Sequence, residues 1–185
     1  MKVRLNPAFE GMSGQLGEMV FRELRGETII SRKPALSTAV TVEQLAHRER
    51  FKQAAAYGKS ALANQTTRQL YEEAAKSKNM PVFAMTVADF FNAPVIDNVD
   101  LSVYHGHEGS FITISARDDF DVVRVHVSIS DDASNPIESG EAVLDSGSWV
   151  YTITEGVSAG TNVIVNVVAT DRPGGTAVKT VNKSF

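Results

Sequence analysis

The chain has 185 residues, of which 43% are hydrophobic and 22% charged, as is typical of a folded globular protein with one or two domains. It contains no cysteine, so disulfides and thiolate metal sites are excluded. It also lacks a long apolar stretch, and its first residues lack the apolar core of a signal peptide. We therefore expect that the chain does not insert into a membrane and that it is synthesised in the cytoplasm.

The net charge of −4 is distributed unevenly along the chain. Residues 1–92 contain 13 lysines and arginines against 9 aspartates and glutamates, whereas residues 93–185 contain 5 against 13. The hydrophobic periodicity changes from mixed to strand-like at the same place, near Asn92-Ala93-Pro94. The sequence therefore predicts two domains, residues 1–92 and 93–185, with surfaces of opposite charge.

The first predicted element is a β-hairpin. Met19–Leu24 and Thr28–Arg32 are rich in β-forming residues and flank a short turn that contains Gly26. The preceding stretch, GMSGQLG, has its glycines at GxxGxxG spacing, which matches neither the dinucleotide-binding nor the P-loop pattern. We interpret it as a flexible segment that leads into the hairpin.

Two or three helices are predicted to follow the hairpin. Thr41-Val42-Glu43-Gln44 matches a capping box, and apolar residues at helical spacing predict a helix over residues 42–63. Thr66-Thr67-Arg68-Gln69 matches a second capping box and predicts a short helix that ends near Asn79 and Pro81. Residues 83–91 have the spacing of a third helix.

The second half of the chain has the pattern of seven short strands separated by turn sequences such as DDFD and DRPGG. The predicted strands are Val95–Tyr104, Phe111–Arg117, Val122–Ser130, Glu138–Leu144, Trp149–Thr154, Asn162–Thr170 and Ala177–Asn182. This spacing favours an immunoglobulin-type sandwich. The predicted fold class is an α+β N-terminal module, with a β-hairpin and two or three helices, followed by an all-β immunoglobulin-like sandwich.

Basic residues in the first module raise the alternatives of nucleic-acid binding and subunit contact. Glutamates are interleaved with them and no nucleic-acid-binding motif is present, so a face that contacts other subunits is favoured. The predicted assembly contacts are Phe21, Arg22, Arg25, Ile30, Arg32 and Lys33.

Aspartates in two loops of the second module predict a tentative Ca²⁺ site. In a sandwich of the assumed topology the two loops lie at the same end, and Ca²⁺ prefers converging oxygen ligands. The candidate ligands are Asp118, Asp119, Asp121 and Asp171. The alternative is that each aspartate caps its own turn without an ion. No other cofactor is predicted, and no Ser/His/Asp arrangement indicates an enzyme.

Two sets of residues carry resemblances to known families. The residues Gly14-Gln-Leu-Gly17, Arg25-Gly26, Arg48-Glu-Arg50-Phe51 and Val87–Pro94 resemble a family of uncharacterised bacterial and phage-like proteins with a hairpin–helix module before a sandwich. Ala169–Gly175 is similar to the turn before the last strand of bacterial immunoglobulin-like repeats. The family has no assigned activity, and neither resemblance assigns a catalytic residue.

These observations predict a non-enzymatic structural or adaptor subunit of a multimeric assembly of the phage-like or contractile-injection type. The first module would contact copies of itself or a larger scaffold, and the sandwich would be displayed for spacing or binding. Such a subunit would be released from the cell as part of a particle. The alternatives are a nucleic-acid-associated protein that uses the basic module and a Ca²⁺-dependent adhesive or carbohydrate-binding module.

Overall fold

A computed structural model describes residues 11–24, 26–34 and 40–185 of the protein. These residues form three helices and eleven strands, and the strands make three antiparallel sheets. The fold class is therefore mixed α+β. The chain divides into two compact units, Met1–Leu45 and Ala46–Phe185, which are described separately below. No helix in the described ranges combines the length and the apolar composition needed to cross a membrane.

The first unit contains a three-stranded antiparallel sheet in the order β1-β2-β3. The strands are β1 Gly14–Leu16, β2 Met19–Leu24 and β3 Glu27–Arg32. The predicted hairpin of β2 and β3 is confirmed, but the predicted flexible segment before it contains a strand. Gly17 has φ of 58°, a conformation that glycine adopts readily, and this allows a tight turn in which Leu16 pairs with Met19.

Helix α1, Val42–Ala63, begins at the predicted capping box. The Gln44 N–H donates to Thr41 Oγ1 and the Thr41 N–H donates to Gln44 Oε1, both at 3.2 Å, which satisfies two backbone donors at the start of the helix. Only the second half of the helix is buried, at Ala54, Gly58 and Ala61. The capping box explains why the sequence predicts this boundary correctly.

Two shorter helices follow, α2 Gln65–Ser77 and α3 Val82–Phe91. The N-cap of α2 is Asn64, whose Oδ1 accepts the Thr67 N–H at 3.1 Å. The predicted cap at Thr66 is therefore wrong. Asn64 has an extended backbone, with ψ of 121°, as an N-cap requires, and Thr66 already lies inside the helix.

Replacing Asn64 by alanine is expected to lower the free energy of unfolding by about 1 kcal/mol, because the Thr67 N–H loses its acceptor. Thr66→Ala is the matched control and should change it by only a few tenths of a kcal/mol, since threonine is a poorer helix former than alanine. Urea denaturation followed by circular dichroism measures both. Equal effects of the two substitutions would contradict the assignment of Asn64 as the cap.

Eight strands in the second unit form two four-stranded antiparallel sheets with a shared hydrophobic core. The strands are β4 Val95–Asp100, β5 Phe111–Arg117, β6 Val122–Asp131, β7 Pro136–Glu141, β8 Val143–Asp145, β9 Ser148–Thr152, β10 Asn162–Asp171 and β11 Thr176–Ser184. One sheet has the order β4-β5-β9-β8 and the other β11-β10-β6-β7. The core includes Ile112, Ile114, Val125, Val127, Trp149, Tyr151, Val163, Val165 and Val167.

The predicted strand Glu138–Leu144 is two strands in the structure. Strand β7 pairs with β6 in one sheet, whereas β8 pairs with β9 in the other. The chain passes between the sheets at Ala142, which is buried and whose N–H donates to Val125 O at 2.8 Å. Alternation of apolar residues does not show where a strand leaves one sheet for another, so the sequence predicts a single strand.

The compact units divide at a different place from the predicted domains. The second unit contains most of α1, together with α2, α3 and both sandwich sheets. The helices belong to this unit because the buried side chains of α2 and α3 pack against Phe120, between β5 and β6. Independent domains of residues 1–92 and 93–185 stay a prediction.

Candidate functional site at the helix–sandwich junction

The helices meet the sandwich at a cluster of aromatic and acidic side chains, which we call the junction. It consists of Tyr57, Tyr71, Asp89, Asp118, Phe120 and Asp171. The Tyr71 ring is completely buried and stacks on the Phe120 ring, with the centroids 4.1 Å apart. Since Tyr71 belongs to α2 and Phe120 to the β5–β6 connection, this stacking joins the two parts of the unit.

A chain of hydrogen bonds crosses the junction. The Tyr71 hydroxyl donates to Asp89 Oδ2 and lies 2.7 Å from the Tyr57 hydroxyl, which then acts as the donor to Tyr71. Burial raises the pKa of Tyr71 well above its usual range, and the hydrogen bond that it donates to Asp89 raises it further. Both hydroxyls therefore stay protonated, and Tyr71 is a permanent donor to Asp89.

Asp89 is the most deeply buried acidic residue of the junction, with 0% of its surface exposed. Burial raises its pKa to about 7, and the hydrogen bond from Tyr71 opposes the shift only in part. The nearby carboxyl groups of Asp118 and Asp171 also raise it, because like charges disfavour ionisation. Its second oxygen, Oδ1, is buried and has no donor among the described residues.

Asp118 and Asp171 each hold the turn that follows them. Asp118 Oδ2 accepts the N–H groups of Phe120 at 3.0 Å and of Asp121 at 3.3 Å. Asp171 Oδ1 accepts the N–H groups of Gly174 and Gly175, the former at 2.8 Å. Burial nevertheless raises the pKa of Asp171. Asp118 and Asp171 therefore each cap their own loop, as in the alternative to a Ca²⁺ site.

Ion pairs surround the junction on its exposed side. Asp119 lies 3.7 Å from Lys78 Nζ and accepts a hydrogen bond from the Asn92 side chain. Asp121 accepts from Arg172 Nη2 at 3.0 Å, and the Arg172 guanidinium lies 5.7 Å from the centroid of the Phe120 ring. These contacts are partly solvated, so each contributes little to stability on its own.

The structure places all four predicted Ca²⁺ ligands at this end of the sandwich. Asp118 and Asp171 point into the junction and interact electrostatically, whereas Asp119 and Asp121 pair with Lys78 and Arg172 at its edge. In residues 11–24, 26–34 and 40–185, no group of three or more His, Asp or Glu side chains is arranged to hold a metal ion. We assign no ligand role to these carboxylates, and Ca²⁺ binding stays a prediction.

Four of the predicted assembly contacts, Phe21, Arg22, Ile30 and Arg32, lie in the sheet of the first unit, and Lys33 follows β3 directly. The pairing of β2 with β3 puts Phe21 opposite Ile30 and Arg22 opposite Ile29, so Arg22 is on the other face of the sheet from Phe21 and Ile30. Phe21 is buried, with 3% exposed, whereas Arg22, Ile30, Arg32 and Lys33 are exposed. Arg25 lies outside the described residues. The role of these residues in assembly stays a prediction.

An open groove of about 500 Å³ runs along α1 near the junction. Its lining residues are Ala46, Glu49, Arg50, Gln53, Phe90, Pro173, Gly174 and Gly175. Arg50 is fixed at one end, where its guanidinium lies 5.0 Å from the centroid of the Phe91 ring and Nη2 donates to Phe91 O at 3.4 Å. The backbone N–H groups of Gly174 and Gly175 point to Asp171 and are not available to a ligand.

Sequence reasoning missed Asp89 and Tyr71, the two residues at the centre of the junction. Asp89 is the only charged residue in the apolar segment VFAMTVADFF, and a lone acid in such a helix is a signal for a buried polar contact. Tyr71 follows an ordinary helical pattern, and nothing in its sequence context identifies a hydrogen-bond partner.

The sequence matches no protein-family model and no curated protein. Three solved structures are similar over about half of this chain. The Br derivative of BhCBM56 is 12% identical with a TM-score of 0.35, over 51% of this chain and 91% of that one. A DUF4426 family protein from Pseudomonas aeruginosa is 15% identical with a TM-score of 0.34, over 50% and 87%.

The third similar structure is a conjugative transposon lipoprotein from Bacteroides eggerthii. It is 14% identical with a TM-score of 0.25, over 51% of this chain and 97% of that one. Identities and scores this low identify no family, and the junction must be interpreted from its own chemistry.

Proposed function

We propose that the protein is a non-enzymatic structural or adaptor subunit that associates with further copies of itself through the first half of α1. In this proposal the sandwich is an immunoglobulin-type module that is displayed for spacing or binding. Incorporation into a phage-like or contractile-injection-type particle stays a prediction that rests on an analogy with immunoglobulin-like modules of such particles.

The observation that carries this proposal is the exposure of apolar residues at the start of α1. Val42, Leu45 and Phe51 are 78%, 55% and 48% exposed, and none of residues 42–53 is buried. Large apolar side chains that remain exposed on one stretch of a helix mark a surface suited to contact with another protein. A second copy that covers these side chains would bury the apolar surface that the first half of the helix leaves exposed.

Charge supports a second copy as the partner. Residues 1–92 contain 13 lysines and arginines against 9 aspartates and glutamates. Residues 93–185 contain 5 lysines and arginines against 13 aspartates and glutamates. Complementary charges on one chain increase the rate at which two copies meet and favour one orientation of the contact. A chain with this distribution can therefore attract its own copies.

The order of the strands supports the immunoglobulin-type assignment. Sheet β4-β5-β9-β8 corresponds to the A-B-E-D order of such domains, and sheet β11-β10-β6-β7 corresponds to G-F-C-C′. Trp149 and Tyr151 are buried between the sheets. Immunoglobulin-type domains serve many functions, so this assignment supports a display or spacing role only together with the exposed helix.

The chemistry of the junction supports a role without catalysis. Asp89, whose raised pKa would suit an acid or base, has no exposed surface, and its Oδ2 accepts from Tyr71. Asp118 and Asp171 each use one oxygen to hold a backbone turn. These groups can stabilise the fold, but a substrate could not reach Asp89 without separation of the helices from the sandwich.

Leu45→Glu is expected to weaken self-association at least tenfold, because it puts a charge into the proposed contact while glutamate keeps a good helix propensity. Analytical ultracentrifugation over a range of concentrations measures the association constant. Val143→Glu is the matched control, since Val143 is 69% exposed on β8, outside the proposed contact, and should associate like the wild type.

Two results would contradict the proposal. One is a wild-type chain that remains monomeric at the highest attainable concentration. The other is a Leu45→Glu chain that associates as strongly as the wild type, which would mean that the contact lies elsewhere. Circular dichroism of the variant confirms that the helix content is unchanged, so that a loss of association is not a loss of folding.

A further inference from the structure

Two lysines of the edge strand β11 lie on the inner face of the sandwich. In the pairing of β10 with β11, Lys179 is opposite Val167 and Lys183 is opposite Val163. Directly opposed residues of neighbouring strands point to the same side of a sheet, and both valines are fully buried in the core. The two lysine side chains therefore start on the core side, at positions that apolar side chains usually occupy.

Both ammonium groups reach across to the other sheet. Lys179 Nζ donates to Asp97 O at 2.6 Å and to Ile96 O at 3.5 Å. Lys183 Nζ donates to Leu101 O. Asp97 and Ile96 belong to β4, the edge strand of that sheet, and Leu101 follows β4 directly. The two lysines thus join the edge strands of the two sheets along one side of the sandwich.

Local features fix both lysines in this arrangement. Lys183 Nζ lies 5.9 Å from the centroid of the Tyr104 ring and 5.6 Å from that of the Phe185 ring, and a cation is attracted to aromatic rings at such distances. Beside Lys179, β4 changes register at Asp97. An irregularity of this kind bends an edge strand and interrupts its regular pairing. The β11–β4 side is therefore neither flat nor apolar.

The opposite side of the sandwich has the same arrangement with the opposite charge. Glu138 on the edge strand β7 pairs with the buried Ile129 and so lies on the inner face. Its Oε2 accepts the N–H groups of Thr154 at 2.8 Å and of Glu155 at 3.2 Å, in the connection that follows β9 of the other sheet. On each side, an inward-pointing charged side chain of one sheet is bonded to the backbone of the other.

We propose that Lys179 and Lys183 close the β11–β4 side of the sandwich to strand addition by a second copy of the chain. An open edge strand is a template for pairing with another chain, and proteins prevent such pairing with inward-pointing charges and bulges. A second β11 added alongside the first would bury these ammonium groups and bring two more lysines next to them, which is unfavourable. The closure directs contacts between copies to other surfaces and does not depend on the contact proposed for α1.

The double variant Lys179→Met/Lys183→Met tests the proposal, because it removes both charges while methionine keeps a long side chain over the core. It is made in the Leu45→Glu background, so that association through α1 does not mask the result. We expect its association constant, measured by analytical ultracentrifugation of the full chain, to exceed that of Leu45→Glu alone by about tenfold or more. The matched control in the same background is Lys59→Met/Lys76→Met, which removes two exposed charges from helices and should associate like Leu45→Glu.

Hydrogen exchange followed by mass spectrometry locates the new contact. Amide protons of β11 and β4 should exchange more slowly in the associated double variant than in its monomer, because strand addition gives them new acceptors. Association no stronger than that of the control would overturn the proposal. New protection confined to other strands or to the helices would overturn it as well.

A second measurement keeps the test decisive if the double variant does not fold. Acetic anhydride acetylates free lysine amines, and mass spectrometry gives the rate at each lysine of the wild-type chain. Lys179 and Lys183 should react severalfold more slowly than Lys59, because their ammonium groups are bonded to backbone carbonyls. Equal rates at the three positions would show that the lysines do not hold the two edge strands together, and the proposal would then be wrong.

Discussion

Replacing Tyr71 by alanine is expected to lower the free energy of unfolding by about 3–5 kcal/mol, the range for removal of a buried aromatic ring. Tyr71 has 0% of its surface exposed and stacks on Phe120. Its hydroxyl is the donor to Asp89 and the neighbour of Tyr57. The substitution therefore removes the packing and the hydrogen bonds of the junction at the same time, and urea denaturation measures the loss.

Tyr71→Phe separates the two contributions. The phenyl ring keeps the stacking on Phe120, whereas Asp89 Oδ2 loses its donor, so the cost is expected to be about 1–3 kcal/mol. The cost should increase with pH, because the hydrogen bond from Tyr71 lowers the pKa of Asp89 and so stabilises its ionised form. A loss below about 1 kcal/mol in Tyr71→Ala would mean that the ring is not packed as the structure shows.

Local signals in the sequence predict much of the fold. The capping box at Thr41 fixes the start of α1 because its two hydrogen bonds depend only on residues three positions apart. Alternating apolar residues predict β6 and β10, whose inward side chains form the sandwich core. These elements are predictable since each signal lies within the element itself.

The sequence predicts less where contacts distant along the chain determine the structure. The split of residues 138–144 into β7 and β8 depends on which sheet each half joins, and both halves have similar composition. Asp89 and Asp118 are 29 positions apart, and their proximity depends on the packing of α3 against the β5–β6 connection. The sequence predicts Ca²⁺ ligands in the acidic loops, but it does not show that Asp89, a buried acid on α3, faces these loops.

The junction and the exposed half of α1 have different physical characters. The junction is buried, aromatic and hydrogen-bonded, so it holds α2 and α3 against the sandwich within one compact unit. Residues 42–53 of α1 are not buried, and their apolar side chains Val42, Leu45 and Phe51 are largely exposed. The two features are therefore tested separately, the junction by variants that change stability and the exposed half of α1 by variants that change self-association.

Replacing Gly58 by valine is expected to destabilise the second unit by about 3 kcal/mol, at the upper end of the cost of overpacking a core. Gly58 is buried where α1 packs against α3. A Cβ at this position would lie 2.5 Å from Thr86 Oγ1 and 3.0 Å from Phe83 Cε2, so the helices must separate to admit the side chain. Thermal or urea denaturation measures the effect.

Two further variants show whether this cost comes from the helix contact. Ala56→Val introduces the same side chain at an exposed position of α1 and should cost only about 0.5 kcal/mol, the lower helix propensity of valine. Gly58→Ala combined with Thr86→Ala removes the atom that the new Cβ meets, so the double variant should be more stable than the sum of the single effects predicts. Additive effects, or equal costs at positions 56 and 58, would contradict the close approach of α1 and α3.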